Sequence, residues 1–353
     1  SVEAYKNVTQ DLLMNFLTPG TGYDSQYRNM GEVQNTGFEA TLNYIAIEKP
    51  NYGLSFNVNI GINKNKINSL GDMDDFGWST GWASTAIGND YLVEEGSPLG
   101  QLYGYKNDGR YEVADFDYDG TKYTLKAGVA DASTVTPTSG KVQPGDMKLK
   151  DLDGDGKVTI ADQTVIGDTN PLHTGGFIIN ANAYSFDLSA AFNWSYGNDV
   201  YNANKIEYTT ATQNNQYRNL TTEMAEGSRW TNVDPASGQL VTDPTELTAL
   251  NANTTMWSPY SKYVFSDWAV EDGSFLRLNT LTLGYTASEF FNEKMGITKL
   301  RFYATASNVF TLTNYSGPDP EVNTRRKTPF TPGTDYAAYP RSRQLVLGLN
   351  LTF

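Results

Sequence analysis

The segment with the sharpest chemistry is Asp151-Leu152-Asp153-Gly154-Asp155-Gly156-Lys157-Val158-Thr159-Ile160-Ala161-Asp162. Side-chain oxygens fall at its first, third and fifth places, glycine at the sixth, a main-chain carbonyl at the seventh and a carboxylate at the twelfth. That is the spacing of a calcium loop. Carboxylates so crowded repel one another, and a hard divalent cation relieves the repulsion. The expected ligands of a structural Ca2+ are therefore Asp151, Asp153, Asp155, Lys157 through its carbonyl, and Asp162. Asp rather than Glu in the last place shortens the reach, and no amphipathic helices flank the loop, so a sensor-type switch is not expected. The bland alternative is an Asp/Gly-rich turn that holds no metal. Asp115-Phe116-Asp117-Tyr118-Asp119-Gly120 copies only the first half of the pattern, with Lys126 in the twelfth place, and predicts a hairpin turn.

Other chemistry is sparse. His173 is the only histidine and there is no cysteine, so neither a Ser–His–Asp arrangement nor a Cys-based zinc site can be specified. Nothing singles out a pair of carboxylates for glycoside cleavage. An enzyme is not expected. Trp78, Trp82, Trp230, Trp257 and Trp268 are candidate platforms on which a sugar ring could stack; each could equally pin its own segment by packing. Arg325, Arg326 and Lys327 form a basic island that either steers an acidic ligand or pairs with nearby carboxylates.

The elements that must position these groups read as strands. Leu54-Ser55-Phe56-Asn57-Val58-Asn59-Ile60-Gly61-Ile62-Asn63 alternates apolar and polar with period two, and Phe38 to Ala46 does the same. Phe177 to Ala183, Phe186 to Tyr196, Leu300 to Ala306 and Leu345 to Phe353 repeat the pattern. Between Phe275 and Tyr285 the apolar face switches from Leu276 and Leu278 to Leu281 and Leu283, which predicts a bulge near Asn279. The spacing predicts eight spanning strands, at about 1–14, 36–47, 53–67, 174–184, 185–197, 270–286, 298–311 and 341–353. Connections alternate between short (48–52, 184–185, 287–297) and long (15–35, 68–173, 198–269, 312–340). Short turns at one end and long loops at the other is the outer-membrane barrel pattern, with the long side extracellular. A soluble sandwich has no reason to sort its loops in this way.

Composition agrees. Of 353 residues 39% are hydrophobic, as expected where only alternate strand residues meet lipid, and 23 Tyr and 6 Trp suit a membrane–water interface. No run of 18 apolar residues exists, which excludes a transmembrane helix. A net charge of −14 without a basic stripe argues against a nucleic-acid partner. No signal peptide opens the chain and Ser1 begins inside a strand, so a processed chain or a piece of a longer one is expected.

Specific words then appear. Ser342 to Phe353 resembles a bacterial outer-membrane C-terminal strand. Val270-Glu271-Asp272-Gly273-Ser274-Phe275-Leu276-Arg277-Leu278 is similar to a segment of SusC/RagA-like TonB-dependent transporters. Thr282-Leu283-Gly284-Tyr285, Ala306-Ser307-Asn308-Val309-Phe310-Thr311, Tyr315-Ser316-Gly317-Pro318-Asp319-Pro320-Glu321-Val322 and Tyr339-Pro340 follow in the family's order. Upstream, Tyr103-Gly104-Tyr105-Lys106, Gly145-Asp146-Met147-Lys148, the Asp151 loop and Ile166 to Pro171 resemble the same family. The likeness runs from Ser1 to Phe353.

The resemblance implies an all-β fold, the C-terminal part of a 22-stranded transmembrane antiparallel barrel, with residues 1–353 all in the barrel domain. The segments 68–173 and 198–269 would be long extracellular loops; the plug domain and Ton box of the family are absent from this chain. It further implies TonB-dependent import of oligosaccharide or peptide across the bacterial outer membrane. The partners would be membrane lipid, a SusD-like surface lipoprotein and TonB, acting through the missing N-terminal region, in a dimer of the transporter–lipoprotein pair. Two other readings stay open at this level: a complete small eight-stranded barrel serving as adhesin or anchor, and a secreted, calcium-stabilised carbohydrate-binding module.

Overall fold

The computed structural model describes residues 1–17, 22, 25–84, 86–211, 219–287, 296–324 and 328–352. Eight long strands, Val2–Leu17 (β1), Ser25–Lys49 (β2), Tyr52–Ser69 (β3), His173–Ala183 (β4), Phe186–Tyr196 (β5), Phe275–Thr286 (β6), Lys299–Thr313 (β7) and Gln344–Thr352 (β8), form one antiparallel sheet in sequence order. Each expected strand is present. Two boundaries differ. β2 begins at Ser25, so half of the expected 15–35 loop is strand, paired with β1 from Leu17 opposite Ser25 onward. Its first part carries Gln26, Arg28, Asn29, Glu32 and Gln34, and a strand wet on both faces has no alternation to read. Val270–Asp272 is a separate short strand, paired with Asp199–Asn202 in another sheet.

The register sorts side chains as the alternation requires. Phe38, Ile62, Phe177, Phe192, Leu278, Phe310 and the leucines of β8 share one face, opposite Asn59, Asn193, Ser189, Thr282 and Thr305. Phase is kept through β6 by a bulge: Ala191 faces Thr280 and Phe192 faces Leu278, so Asn279 is left over, and its amide donates to Asn193 Oδ1 at 2.7 Å. On the apolar face Leu42, Leu188, Leu283, Leu312, Leu345 and Leu347 are between 36% and 75% exposed. Each such side chain gains roughly 1.5–3 kcal/mol on leaving water, so a whole sheet face of them demands an apolar neighbour.

Aromatic rings stand where that face ends. Toward the short turns Tyr52 and Tyr184 meet edge to face at 5.0 Å, and Phe186 lies 5.0 Å from Tyr285. The two-residue turn at Tyr184-Ser185 holds Tyr184 at φ 52°. At the opposite end His173 stacks on Tyr196 at 5.1 Å, and its Nδ1 accepts from Trp194 Nε1 at 3.0 Å. The lone histidine is thus one more ring of this girdle. On the polar face Tyr303 lies over Gly348, where a Cβ would sit 2.1 Å from the ring.

β1 and β8 are the two rims of the sheet and do not pair with each other among the described residues. The eight strands therefore do not close on themselves, which removes the reading of a complete eight-stranded barrel.

The connections 70–172, 197–274 and 314–343 all leave from the same end, opposite the short turns. They are not slack loops but a folded layer, with cores around Tyr111, Leu149, Val158 and Met224, around Tyr91, Leu102, Tyr201 and Phe265, and around Ile67, Leu70 and Val93. It holds its own four-stranded sheet and the short helices Ala203–Thr209 and Pro244–Leu250. Among the described residues no helix is long and apolar enough to cross a membrane.

Candidate functional site

Two places in the loop layer gather charged groups. The first is the acidic loop. Gly154 and Gly156 adopt φ of +79° and +85°, which fold the chain tightly enough to aim successive aspartates inward. Asp151 accepts from the Gly154 and Gly156 amides, both at 2.7 Å, Asp153 from Asp155 N at 3.0 Å, and Asp155 from Lys157 N at 2.7 Å. One carboxylate oxygen of each of Asp151, Asp153 and Asp155 lies within 4.8 Å of the others.

Asp162 is fully buried at the end of the short 3-10 turn Ile160–Asp162 and accepts from the Leu152 and Thr159 amides, each at 2.7 Å. Burial opposes its charge, but these N–H bonds and contact with the Asp151 carboxyl outweigh that and hold it below the usual carboxylate range. Asp153 goes the other way. The Asp155 N–H favours its charge, yet partial desolvation and the charges of Asp155, Asp162 and Asp151 together push it up. Asp131 clamps the loop from outside, its N–H donating to Gly156 O and its carbonyl accepting from Val158 N, which leaves the Lys157 carbonyl out of both bonds. The structure thus brings Asp151, Asp153 and Asp155 together, with Asp162 beside Asp151 and engaged by backbone amides. The neighbouring Asp115–Gly120 segment is the expected hairpin, its turn closed by Asp119 accepting from Thr121 and Lys122.

The second gathering was not anticipated as a site. Arg277, on the polar face of β6 and 1% exposed, donates through Nη2 to Asp319 at 2.5 Å and stands 3.7 Å from Glu321. Arg341 approaches the same two acids at 2.9 and 3.0 Å. Close by, Glu271 accepts from Ser316 N and Oγ and from Asn202 Nδ2. Burial raises its pKa, but those bonds and the Lys205 ammonium win and hold it below the ordinary value. Tyr315 donates to the buried Asp335 at 2.6 Å, and burial pushes that phenol up. These contacts fasten segment 314–343 to the top of the wall. The residues were visible as separate words around Arg277, Asp319 and Arg341; what the sequence could not show is that they meet.

Of the five candidate tryptophans, three are buried in the loop layer and two, Trp78 and Trp268, are half-buried. Trp82, Trp230 and Trp257 are 3–6% exposed. Trp82 donates to Tyr201 and lies between Tyr263 and Tyr336 at 5.4 and 5.1 Å. Trp230 has the Arg110 guanidinium 4.8 Å from its ring centre and Gly145 pressed against it, where a Cβ would be 2.1 Å from the ring. Trp257 meets the edge of Trp268 at 4.8 Å, and Lys205 caps Trp268 at 4.3 Å. Half-buried Trp78 packs on Phe330 at 5.1 Å. They pin the layer, and Trp82, Trp230 and Trp257 present no free ring face to a ligand. Arg325, Arg326 and Lys327 lie outside the described residues.

Comparison with known proteins gives these features a setting. No family model matches the chain. TonB-dependent receptor P3 of Formosa agariphila is 31% identical over 358 residues, covering all of this chain and 32% of that protein. TonB-dependent receptor SusC of Bacteroides thetaiotaomicron is 26% identical over 362 residues, again all of this chain and 30% of the relative. The chain thus spans about a third of the length of the curated relatives it matches. Among solved structures, the RagAB peptide importer in its closed-closed state superposes with a TM-score of 0.67 at 22% identity, over the whole of this chain and 33% of that one; the chain shares the fold of that third. Along its full length the chain is homologous to the SusC-like TonB-dependent receptors and corresponds to about one third of such a protein.

Proposed function

We propose that the chain forms part of the wall and mouth of an outer-membrane channel that imports nutrient molecules under TonB control. The observation that carries this reading is the pairing of two things in one chain. One is an eight-stranded sheet with an uncovered apolar face edged by aromatic rings; the other is a cored layer of connections at one end only. The apolar face meets lipid and the polar face the barrel interior. The loop layer points out of the cell, where it borders the substrate cavity and the docking surface for a SusD-like lipoprotein, in a dimer of transporter–lipoprotein pairs. The cargo is an oligosaccharide or peptide, and no step of the function makes or breaks a covalent bond.

The test is energised uptake. Cells lacking the intact receptor, or carrying it without a functional TonB, should lose growth on a nutrient that supports the wild type. A pulldown of the intact receptor should recover a surface lipoprotein. Uptake that persists without TonB would remove the active-import reading.

For the acidic loop we infer a structural cation, supported by three converging carboxylates and a fourth within contact of Asp151. The donor set is all oxygen, which suits a hard ion such as Ca2+. Asp151, Asp153, Asp155 and the Lys157 carbonyl would hold it, with Asp162 at its edge. Its role is to lock the 126–162 region of the layer.

A further inference from the structure

Three lysines stand on the apolar side of β1 to β3, just beyond the apolar band, and we infer that they form a site for the phosphate head of an anionic membrane lipid. This rests on the reading of that side as lipid-facing and adds a ligand that import itself does not require. The register builds the site. Ala4, Phe38 and Ile62 form one row across the three strands. The next row on the same face, toward the loop layer, is Lys6, Thr36 and Lys64, and the one after it is Val8, Gln34 and Lys66. On β4 and β5 the band ends at the stacked rings of His173 and Tyr196. The lysines therefore lie one and two rows past Phe38 and Ile62, the height of lipid head groups. Strands about 4.8 Å apart, rising about 3.4 Å per residue, put the Lys6 and Lys64 Cα atoms roughly 10 Å apart and Lys66 about 7 Å beyond Lys64. Over that spacing, long flexible stems can converge on one head group.

Two observations give the ligand class. First, the protein leaves this charge unanswered. Lys6, Lys64 and Lys66 are exposed, and none forms an ion pair among the described residues. Glu3 and Glu39 sit opposite each other on the other, polar face. Glu32 shares the lysines' face but lies further toward the loops, and its carboxylate already accepts from Asn68 at 2.8 Å and Gln10 at 2.9 Å. Asp11 is in the β1 bulge, two strands away from Lys64 and Lys66. Ammonium groups held where bulk water thins need an anion. Second, the site is continuous with the apolar face. Lysine stems lie along apolar surface and lift their charge into the polar zone. An occupant must therefore place its negative charge at this height and its hydrocarbon below, beside Phe38, Leu42 and Ile62, which are 37% to 62% exposed. A lipid does both, and a soluble anion only the first. The compact ammonium binds phosphate as a point charge, while Thr36 and Gln34, bonded to each other at 3.2 Å, offer a hydroxyl and an amide between the lysines.

The experiment uses the full-length receptor in detergent. It is titrated with phosphatidylglycerol, with phosphatidylcholine of the same chains and with inorganic phosphate, and bound molecules are counted by native mass spectrometry. Lys64→Gln/Lys66→Gln is compared with Lys122→Gln/Lys141→Gln, which removes the same charge from exposed positions of the loop layer. All four side chains are exposed, so folding is expected to be unchanged. The wild type should retain phosphatidylglycerol over phosphatidylcholine. The first variant should weaken that binding about thirtyfold, roughly fivefold for each lysine near a charged head group, and the second by less than about twofold. Failure to prefer phosphatidylglycerol, displacement of it by inorganic phosphate at equal concentration, binding that the first variant leaves intact, or equal losses from the two variants overturns the site. If TonB-dependent uptake persists alongside any of these results, the import reading stands and only the lipid site falls.

Discussion

Removing Asp319 tests the claim that a buried charge cluster fastens the mouth to the wall. Asp319 supplies the described hydrogen bond to Arg277, whose Nε and Nη1 are buried without one. Asp319→Ala therefore strands a guanidinium that is 1% exposed. Leaving one partner of a buried pair uncompensated costs about 3–5 kcal/mol. Glu321 and Arg341 are 44% and 47% exposed, so Glu321→Ala breaks solvated pairs and should cost at most about 1 kcal/mol. Arg277→Met removes the buried charge itself, while Asp319 keeps Arg341 at 2.9 Å and the Glu321 amide at 2.9 Å; its cost should fall between the two. The assay is hydrogen exchange of residues 314–324 in the intact receptor, which reads local opening. Asp319→Ala should speed exchange there by a hundredfold or more, about 1.4 kcal/mol per tenfold, and Glu321→Ala by less than about tenfold. Arg277→Met as damaging as Asp319→Ala, or equal effects from the two acids, would refute the reasoning.

Three further outcomes are expected. Asp90 is fully buried and accepts from Thr80 N and Oγ1; burial nonetheless pushes its carboxyl up to about 6. The folded layer therefore binds this proton more tightly than the unfolded chain, so its stability is greatest in acid and falls by about 3 kcal/mol as pH climbs from near 4 past 6. Asp90→Asn should raise the melting temperature at pH 7.5 and not at pH 4; an unchanged pH profile would count against it. If the acidic loop holds Ca2+, chelation should remove about 2–3 kcal/mol at an ion concentration near a hundred times Kd, read as faster proteolysis between 126 and 162. Asp153→Asn should abolish that response to chelator. Gly348→Ala should cost about 1–3 kcal/mol by pushing a Cβ into the Tyr303 ring, and urea unfolding of the double variant with Tyr303→Ala should show part of that loss recovered.

The wall was legible in the sequence because period-two alternation is imposed wherever one face meets lipid and the other water; even the bulge at Asn279 showed as a phase switch between Leu278 and Leu281. The top of β2 was not, because above the apolar band both faces are wet and the contrast vanishes. The loop layer escaped for a different reason. Its cores join Tyr111 to Met224 and Tyr91 to Tyr201, pairs far apart in the chain with no periodicity between them. The tryptophans illustrate the limit: composition says an aromatic is in a loop, while only tertiary packing says whether its face is free. The acidic loop was readable because its ligands are local. The Arg277 cluster, drawn from residues 277, 319, 321 and 341, was spelled out yet uninterpretable until folded.

The interior cores of the loop layer have an evolutionary consequence. Because packing among residues such as Tyr111, Leu149, Tyr201 and Phe265 shapes the mouth, exposed polar side chains such as Asn59 and Thr174, which bond to no other described residue, carry no structural duty. Replacing Asn59 or Thr174 leaves the scaffold standing. A lineage can thus retune what enters by single substitutions on a fixed frame, without having to refold a loop at each step.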